Sequence, residues 1–351
     1  MPDKIKVLVI DDATFMVKAL TEMLDADPGI EVVGSAKNGM EALEKIKQLR
    51  PDVVTLDVDM PVMDGIKTVR HIMIECQVPI VMLSSLFSHG EITFEALRLG
   101  VVDFMPKPSG AISKDIHDEK HKIIERVKIA SDINIDNVRR VRLSRHNARD
   151  LLTERYEYRQ LEYLIVIGTT LGGPNTVINM MSHISPELPA AIIIVQEIAP
   201  KILPAFVNRF NEFTPWRIEE AKEGSSIEQG VCYISSYSDP VVVGYDENHE
   251  PCLVKAKGDK KPLNEVFDSA AMIFEQHAIG VLLAGVGDDG TDGFFTIKEK
   301  AGTTIAQEIE TCVYPNLSNS AIQHGVVDYV SSANDMSANI ENIIKKNSDA
   351  S

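Results

Sequence analysis

The stretch Val53-Val-Thr-Leu-Asp-Val-Asp-Met-Pro-Val-Met-Asp-Gly65 is a short apolar run that closes on a carboxylate, Asp57, and then enters a turn. Other apolar runs of similar length also end in polar side chains, and they are Lys6-Val-Leu-Val-Ile10 before Asp11 and Asp12, Ile80-Val-Met-Leu83 before Ser84, and Val102-Asp-Phe-Met-Pro106 before Lys107. Such runs, separated by segments with helical spacing, predict strands of a parallel sheet. Because the carboxyl ends of parallel strands lie at one edge of a sheet, these polar groups are predicted to share a pocket.

The predicted pocket would combine carboxylates, a hydroxyl group and an ammonium group. That set suits a Mg²⁺-assisted transfer of a phosphoryl group onto a carboxylate, in which acids hold the metal and one acid is the nucleophile. The lysine and the hydroxyl would then receive the phosphoryl oxygens. The alternative is a flavodoxin-like domain with an incidental acidic edge, because an Asp-Asp pair at a strand end is common. The ordered set of landmarks, each closing an apolar run, favours phosphoryl transfer.

This part of the chain, from about residue 4 to residue 130, resembles the receiver domain of two-component response regulators. The resemblance rests on the stretch quoted first, on Leu83-Ser-Ser85, and on Val102-Asp-Phe-Met-Pro-Lys-Pro108. It implies that Asp57 is the phosphoacceptor and that a sensor histidine kinase is a partner.

The resemblance also implies the cofactor and the residues around it. Mg²⁺ is expected to bind to Asp12 and Asp57 together with a main-chain carbonyl near Asp59, while Asp11 acts through a water molecule. The residues expected to respond to phosphorylation are Ser84, Phe104 and Lys107.

Composition limits the class of protein. The 351 residues allow two domains, and a hydrophobic content of 44% with a charged content of 25% is ordinary for soluble globular proteins. The net charge of −17 argues against a nucleic-acid-binding output. Apolar runs are strand-sized, which predicts no membrane insertion. The scattered cysteines, without a Cys-x-x-Cys motif, predict reduced thiols in a cytoplasmic protein.

The sequence predicts two α/β domains joined by a linker. We expect the receiver domain at residues 1–130, an Arg-rich linker at 131–160, and a second domain at 161–347. The linker segment holds seven Arg and five acidic residues, so its charge is 7 − 5 = +2 in a chain of −17. It is read either as a solvated, partly helical linker or as a basic strap that docks on an acidic surface.

The second domain begins with the strand-like run Tyr163-Leu-Ile-Val-Ile-Gly168. Strand and helix signals alternate after it, which predicts a doubly wound, mainly parallel α/β sheet. Turn signals around residues 235–239 and 246–250 predict hairpins added to that sheet.

Three loops of the second domain are expected to converge, because each follows a predicted strand. They are Gly168-Thr-Thr-Leu-Gly-Gly-Pro174, Val195-Gln-Glu-Ile-Ala-Pro200 and Leu282-Leu-Ala-Gly-Val-Gly-Asp-Asp-Gly290. The first has glycines for tight turns and a proline suited to a first helical position. Taken alone it could bind an anion at the start of the following helix.

With a receiver upstream, residues 163–332 resemble the catalytic domain of the chemotaxis methylesterases, the CheB family. The similarity extends through segments later in the chain, which are Lys261-Pro-Leu-Asn-Glu-Val-Phe-Asp-Ser-Ala-Ala271, Thr304-Ile-Ala-Gln307 and Ser320-Ala-Ile-Gln-His-Gly-Val-Val-Asp328. The resemblance implies a hydrolase that removes methyl groups from chemoreceptor glutamates and deamidates receptor glutamines. Chemoreceptors or other chemotaxis proteins are therefore expected partners.

The chemistry of the family does not carry over completely. Its Ser-His-Asp triad aligns on Thr170, Glu197 and Asp289, and Val286 stands where the family has an oxyanion-hole methionine. Thr170 keeps a hydroxyl, although its β-branch stiffens the side chain. Glu197 is the greater change, because a triad base needs a pKa near 7 and a free Glu titrates near 4.3. Loss of a triad member costs about 10⁴-fold or more in kcat.

Two other interpretations of this site are open. Another histidine, His183, His249 or His277, could activate Thr170, although no spacing in the sequence supports it. Alternatively, Glu197, Asp288 and Asp289 could form a cluster that shares a proton or binds a divalent cation. The simpler expectation is that Asp288 faces solvent and Glu197 pairs with a neighbouring cation.

Taken together, the sequence predicts a phosphorylation-gated response regulator with an output domain that has lost hydrolysis and kept a binding surface. The alternative is a working receptor methylesterase and deamidase with an altered triad. A DNA-binding regulator is disfavoured by the acidic charge and by the lack of a helix-turn-helix pattern.

Overall fold

The structure is a computed structural model, and it describes residues 4–84, 90–108, 116–138, 140–141, 143, 160–258 and 261–349. Contacts divide the chain into two compact units, Met1–Val141 and Arg142–Ser351. Within the described residues, no helix combines the length and the apolar character needed to cross a bilayer.

The first unit alternates strands and helices, and its sheet is parallel throughout. The strands are β1 (Ile5–Ile10), β2 (Ile30–Ala36), β3 (Val53–Asp57), β4 (Ile80–Ser84) and β5 (Asp103–Pro106). The helices are α1 (Thr14–Asp25), α2 (Gly39–Leu49), α3 (Gly65–Glu75), α4 (Gly90–Leu99) and α5 (Ile116–Ser131). The strand order β2-β1-β3-β4-β5 confirms the predicted flavodoxin-like fold.

The sequence patterns account for the individual strands and helices of this unit. Strands β3 and β4 are buried along their whole length, as expected for apolar runs covered by helices on both faces. The start of α3 is fixed by Asp64, whose side chain accepts a hydrogen bond from the Lys67 N–H, and Asn38 caps α2 in the same way. The chain leaves β1 toward β2 on one side and β3 on the other, which opens a crevice at the carboxyl ends of β1 and β3.

The first unit continues beyond α5, into the segment predicted to begin the linker. A 3₁₀ turn at Ile135–Asn137 leads to Val138, which packs against the core of this unit. Val141 is buried and its N–H donates to the Arg98 carbonyl at 2.9 Å, while the Arg98 guanidinium donates to the Val141 carbonyl at 3.0 Å. Val138 and Val141 therefore belong to the packed unit, and the linker role of 131–160 stays a prediction.

The second unit has a seven-stranded sheet in which every pairing is parallel, together with a separate antiparallel hairpin. The strands are β6 (Tyr163–Gly168), β7 (Ala190–Gln196), β8 (Arg217–Glu220), β9 (Val231–Ser236), β10 (Val241–Tyr245), β11 (Pro251–Lys255), β12 (Ala278–Leu282), β13 (Thr303–Gln307) and β14 (Tyr329–Ser331). The helices are α6 (Gly173–Met181), α7 (Leu203–Asn211), α8 (Pro262–Phe274), α9 (Thr291–Glu299), α10 (Asn316–Gln323) and α11 (Met336–Asp349). The predicted mainly parallel α/β fold is confirmed.

One of the two predicted hairpins is wrong. Residues 246–250 join β10 to β11 as predicted, but residues 235–239 form only a tight turn with a single bridge between Ser236 and Asp239. The physical reason is that β9 already pairs in parallel with β7 on one side and β8 on the other, so no edge of it is open to β10.

The large sheet has the order β14-β13-β12-β6-β7-β9-β8. The chain leaves β6 toward β7 and later returns to β12 on the opposite side of β6, so the switch point lies between β6 and β12. One face of the sheet, with Leu164 and Val166 of β6, packs against Leu263 and Val266 of α8 in the main apolar core. The loops after β6, β7 and β12 therefore lie next to one another at the carboxyl edge.

Candidate functional site

The first candidate site lies at the carboxyl edge of the first sheet, in the crevice between β1 and β3. Asp11 and Asp12 follow β1, and Asp57 ends β3. One carboxylate oxygen of each lies within 4.8 Å of the others. Asp11 and Asp57 are buried, whereas Asp12 is exposed. The structure thus brings together three of the carboxylates that the sequence predicted to meet, and their hard oxygen atoms are the donors that Mg²⁺ prefers.

Lys107 completes this pocket from the end of β5. Its ammonium nitrogen lies 2.6 Å from Asp11 Oδ2 and 2.8 Å from Asp57 Oδ2. Burial disfavours the ammonium, but its hydrogen bonds to the two carboxylates outweigh that effect and raise the pKa of Lys107. Burial raises the pKa of Asp57 despite the opposing influence of Lys107. The pocket holds more negative than positive charge, which suits a divalent cation.

The remaining predicted residues of the first site are Ser84, Phe104 and Asp59, and they differ in burial. Ser84 is buried at the end of β4, and its carbonyl accepts from the Lys107 N–H at 2.8 Å. Phe104 lies on β5 and is partly buried against the core. Asp59 is exposed, and its carboxylate is not part of the cluster of Asp11, Asp12 and Asp57. A main-chain contribution near Asp59 to metal binding stays a prediction.

The loop after Asp57 is held tightly. The Gly65 N–H donates to the Val58 carbonyl at 2.9 Å, and a Cβ atom at Gly65 would lie 2.3 Å from the Asp57 carbonyl oxygen. In the same loop Val62 has a φ of 68° and is 84% exposed. A β-branched residue in the left-handed region is strained, and this strain at Val62 was not predicted from the sequence.

The second candidate site lies at the carboxyl edge of the seven-stranded sheet. Thr170 follows β6 and is buried. Its Oγ1 accepts a hydrogen bond from the Val286 N–H at 2.7 Å. Val286 lies in the loop after β12, so the predicted nucleophile and the predicted oxyanion donor are hydrogen-bonded to each other. Gly172, at φ 78°, turns the chain from Thr170 into α6, which explains a glycine at that position.

Asp289, in the same loop as Val286, is buried and accepts three hydrogen bonds. Two come from main-chain N–H groups at the start of α8, from Leu263 at 2.8 Å and from Asn264 at 3.1 Å. The third comes from the Tyr237 hydroxyl at 3.0 Å. The carboxylate therefore caps the N-terminus of α8, where the helix dipole favours negative charge. Burial, and then Asp289, raise the pKa of Tyr237 above its ordinary value.

Glu197 and Asp288 do not join Asp289 in a cation site. Glu197 follows β7 and is exposed. Asp288 is exposed and pairs with Lys261, and that hydrogen bond is the main cause of a lowered pKa at Asp288. Among the residues that the structure describes, the group of three carboxylates whose oxygen atoms lie within 4.8 Å of one another is that of the first pocket. The exposure of Asp288 thus agrees with the simpler expectation, in which this residue faces solvent.

The three histidines considered as substitute bases have other contacts. His183 Nδ1 lies 2.7 Å from the Asn179 carbonyl, and the ring of His277 packs edge-on against Tyr163. His249 lies in the turn between β10 and β11, where its main-chain N–H donates to the Asp246 carbonyl at 3.1 Å. Nothing in these contacts links them to Thr170.

Two side chains of the second site, Tyr237 and Asn264, were not predicted from the sequence. Tyr237 is 52 positions from Asp289 in the chain, and no motif connects them. Asn264 accepts from the N–H groups of Gly290 and Gly293, at 2.9 and 3.0 Å. It lies within the segment that carried the family resemblance, which was the available signal for it.

Comparisons with known proteins agree with the two-part architecture. Residues 165–340 match the family described as CheB methylesterase, and residues 7–117 match the response regulator receiver domain. The protein-glutamate methylesterase/protein-glutamine glutaminase of Pyrococcus horikoshii is 35% identical over 340 residues, covering 94% of this chain and 91% of the relative. The protein of the same name from Geobacillus kaustophilus is 36% identical over 350 residues, covering 97% and 99%.

A solved structure is also similar to about half of this chain. The crystal structure of the Thermotoga maritima CheB methylesterase catalytic domain is 30% identical and covers 52% of this chain and 97% of that chain, with a TM-score of 0.48.

Proposed function

Because the chain belongs to the CheB methylesterase family and carries a receiver domain, we propose that it is a phosphorylation-gated chemotaxis regulator whose output domain binds partners without hydrolysing esters. Its phosphodonor is a sensor histidine kinase, and its partners are chemoreceptors or other chemotaxis proteins. The observation that carries the proposal is the hydrogen bond from the Val286 N–H to Thr170 Oγ1.

The receiver pocket supports phosphorylation of Asp57. A carboxylate oxygen of Asp57 would form the bond to phosphorus as the bond from phosphorus to the donor breaks. Lys107 lies 2.8 Å from Asp57, where its ammonium can balance the charge of the arriving phosphoryl oxygens. Ser84 lies at the end of the neighbouring strand β4. Asp11, Asp12 and Asp57 would hold Mg²⁺, which when bound neutralises the charge of the phosphoryl group.

The output site supports binding rather than acyl transfer. An oxyanion donor acts when its N–H is free to bond the developing oxyanion, and here the Val286 N–H bonds Thr170 Oγ1 at 2.7 Å. A nucleophilic hydroxyl also needs a base that accepts its proton. The carboxylate at the base position, Glu197, is exposed, and Asp289 is bonded to Tyr237 instead of an imidazole.

Two labelling experiments test this proposal. Radiolabelled acetyl phosphate with Mg²⁺ should label the wild-type protein and leave Asp57→Asn unlabelled, whereas full labelling of that variant would reject Asp57 as the phosphoacceptor. A fluorophosphonate probe, which reacts with activated hydroxyl nucleophiles, should leave the phosphorylated protein unmodified. Modification that disappears in Thr170→Ala would show an active hydrolase site.

The second candidate function is a working methylesterase and glutaminase. It is favoured by the names of the relatives and by the hydroxyl that Thr170 retains at the nucleophile position. In that case the Val286 N–H would have to release Thr170 Oγ1 and donate its hydrogen bond to the substrate oxygen when substrate binds.

A further inference from the structure

Tyr237 contacts two of the loops that form the output site, and the proposed function uses it only as the present partner of Asp289. It follows β9, and its main-chain N–H donates to the Gln196 carbonyl at the end of β7 at 2.8 Å. Its hydroxyl donates to Asp289 Oδ2 at 3.0 Å. A single residue thus bridges the β7 and β9 strand ends and the loop that follows β12.

The bond to Asp289 has a specific chemical meaning at this place. In a Ser-His-Asp arrangement the buried carboxylate accepts a hydrogen bond from one N–H of the imidazole. This bond fixes the tautomer and the orientation of the ring. Here the two main-chain bonds from Leu263 and Asn264 support the carboxylate, and its third bond comes from a phenol. A phenol with a raised pKa holds its proton and cannot act as a base at neutral pH.

Several charged side chains lie near the hydrogen bond between Tyr237 and Asp289. Asp288 pairs with Lys261, and Glu197 and Asp288 both act on the Tyr237 phenol as nearby negative charges. His324 lies near enough to Asp288 to lower its pKa. These carboxylates disfavour a phenolate, so they reinforce the neutral, donating form of Tyr237.

We propose that Tyr237 is a positioning residue that occupies, on Asp289, the place that an imidazole would need, and that it thereby holds the output site in its non-hydrolytic arrangement. This inference rests on the proposed function and names the residue that maintains it. Changes at Thr170 and Glu197 alone would therefore leave Asp289 unavailable to a restored base.

The test introduces an imidazole and reads its pKa by NMR, in the full chain. In Glu197→His, the new imidazole should titrate near its ordinary value of about 6.5, because the Tyr237 hydroxyl occupies Asp289. Adding Tyr237→Ala should raise that pKa by about one unit, because a carboxylate that becomes available stabilises the imidazolium. Adding Tyr237→Phe removes the hydroxyl but leaves the ring, and should give a smaller rise.

The matched control is Tyr233→Phe in the Glu197→His background. Tyr233 is a buried tyrosine on β9 whose hydroxyl bonds the Ser226 carbonyl away from this site, so its loss should not change the imidazole pKa. An imidazole pKa that is unmoved by both Tyr237 substitutions, or already raised by one unit with Tyr237 present, would overturn the proposal. Because no ester hydrolysis is measured, this outcome is distinct from failure of the proposed function, which would appear as wild-type turnover.

Discussion

At the scale of single residues, the first pocket is controlled by an imbalance of charge. Asp11, Asp12 and Asp57 face one ammonium group, Lys107, and two of these acids are buried. Burial raises the pKa of Asp57, so the ionised carboxylate is less stable in the folded protein than in the unfolded chain. The arrangement proposed to accept a phosphoryl group therefore costs stability.

We predict that Asp57→Asn stabilises the metal-free protein. A raised pKa contributes stability below the unfolded value, near 3.8, and that contribution is lost as the pH rises through the folded value. The gain from Asn should thus be absent near pH 3.8 and reach about 1 kcal/mol at pH 7, a typical size for one substitution. Urea unfolding in the presence of a chelator at several pH values measures it. A variant less stable than wild type at pH 7 would contradict this explanation.

The adjacent acids Asp288 and Asp289 allow a matched comparison in the second site. Asp289→Ala removes the cap of α8 and the Tyr237 bond and should lower the free energy of unfolding by about 2–3 kcal/mol. Asp288→Ala removes only an exposed ion pair with Lys261 and should cost less than about 1 kcal/mol. Thermal and urea unfolding of both variants measures the difference. Equal losses would mean that Asp289 does not cap α8.

At the scale of elements, the loop between β3 and α3 stores strain at Val62, whose φ is 68°. Asn tolerates this left-handed conformation better than a β-branched residue does. We therefore predict that Val62→Asn raises the free energy of unfolding by about 1 kcal/mol. Val62→Ala, which removes the β-branch but not the preference against positive φ, should give a smaller gain. A loss of stability in Val62→Asn would show that the valine side chain makes a compensating contact.

Some of the strands could be predicted from the sequence and others could not. Long apolar runs such as Ile80–Leu83 and Tyr163–Gly168 predicted strands, because fully buried parallel strands need continuous apolar sequence. Strand β14 was missed because it has only three residues, too few for a pattern. The hairpin at 235–239 was wrong because its strand pairs in parallel on both sides, which depends on strand order rather than on local turns.

The residues of the candidate sites also differ in whether the sequence could predict them. Asp11, Asp57 and Lys107 could be predicted because each directly follows or ends a strand of one sheet. Tyr237 could not, because its partner Asp289 lies 52 positions away and the contact depends on how the strands are ordered.

At the scale of the whole molecule, the segment after α5 is hydrogen-bonded to α4. The Val141 N–H donates to the Arg98 carbonyl at the end of α4, the helix that follows β4 and Ser84 in the chain. A change of β4 and α4 on phosphorylation would therefore reach the segment that leads to the second unit. The strength of such coupling is typically about 1–3 kcal/mol.

We predict that a phosphoryl mimic such as beryllofluoride with Mg²⁺ changes hydrogen exchange at residues 132–141. The reason is the bond between Val141 and Arg98, which connects this segment to the receiver core. Asp57→Asn is the control and should show no change with the mimic. Unchanged exchange there and in the loops at 168–174, 196–200 and 285–292 of the wild-type protein would mean that the receiver signals to an external partner.

The central claim, a receiver-gated output domain without hydrolysis, is tested most directly by methanol release from methylated chemoreceptor. The assay compares the phosphorylated wild-type protein with Thr170→Ala, and it includes an active methylesterase relative as the positive control. We predict that the two proteins release methanol at the same background rate. The reason is that Thr170 Oγ1 accepts a hydrogen bond from the Val286 N–H and Asp289 accepts one from the Tyr237 hydroxyl. Phosphorylation-dependent release that is well above background and is lost in Thr170→Ala would contradict the claim.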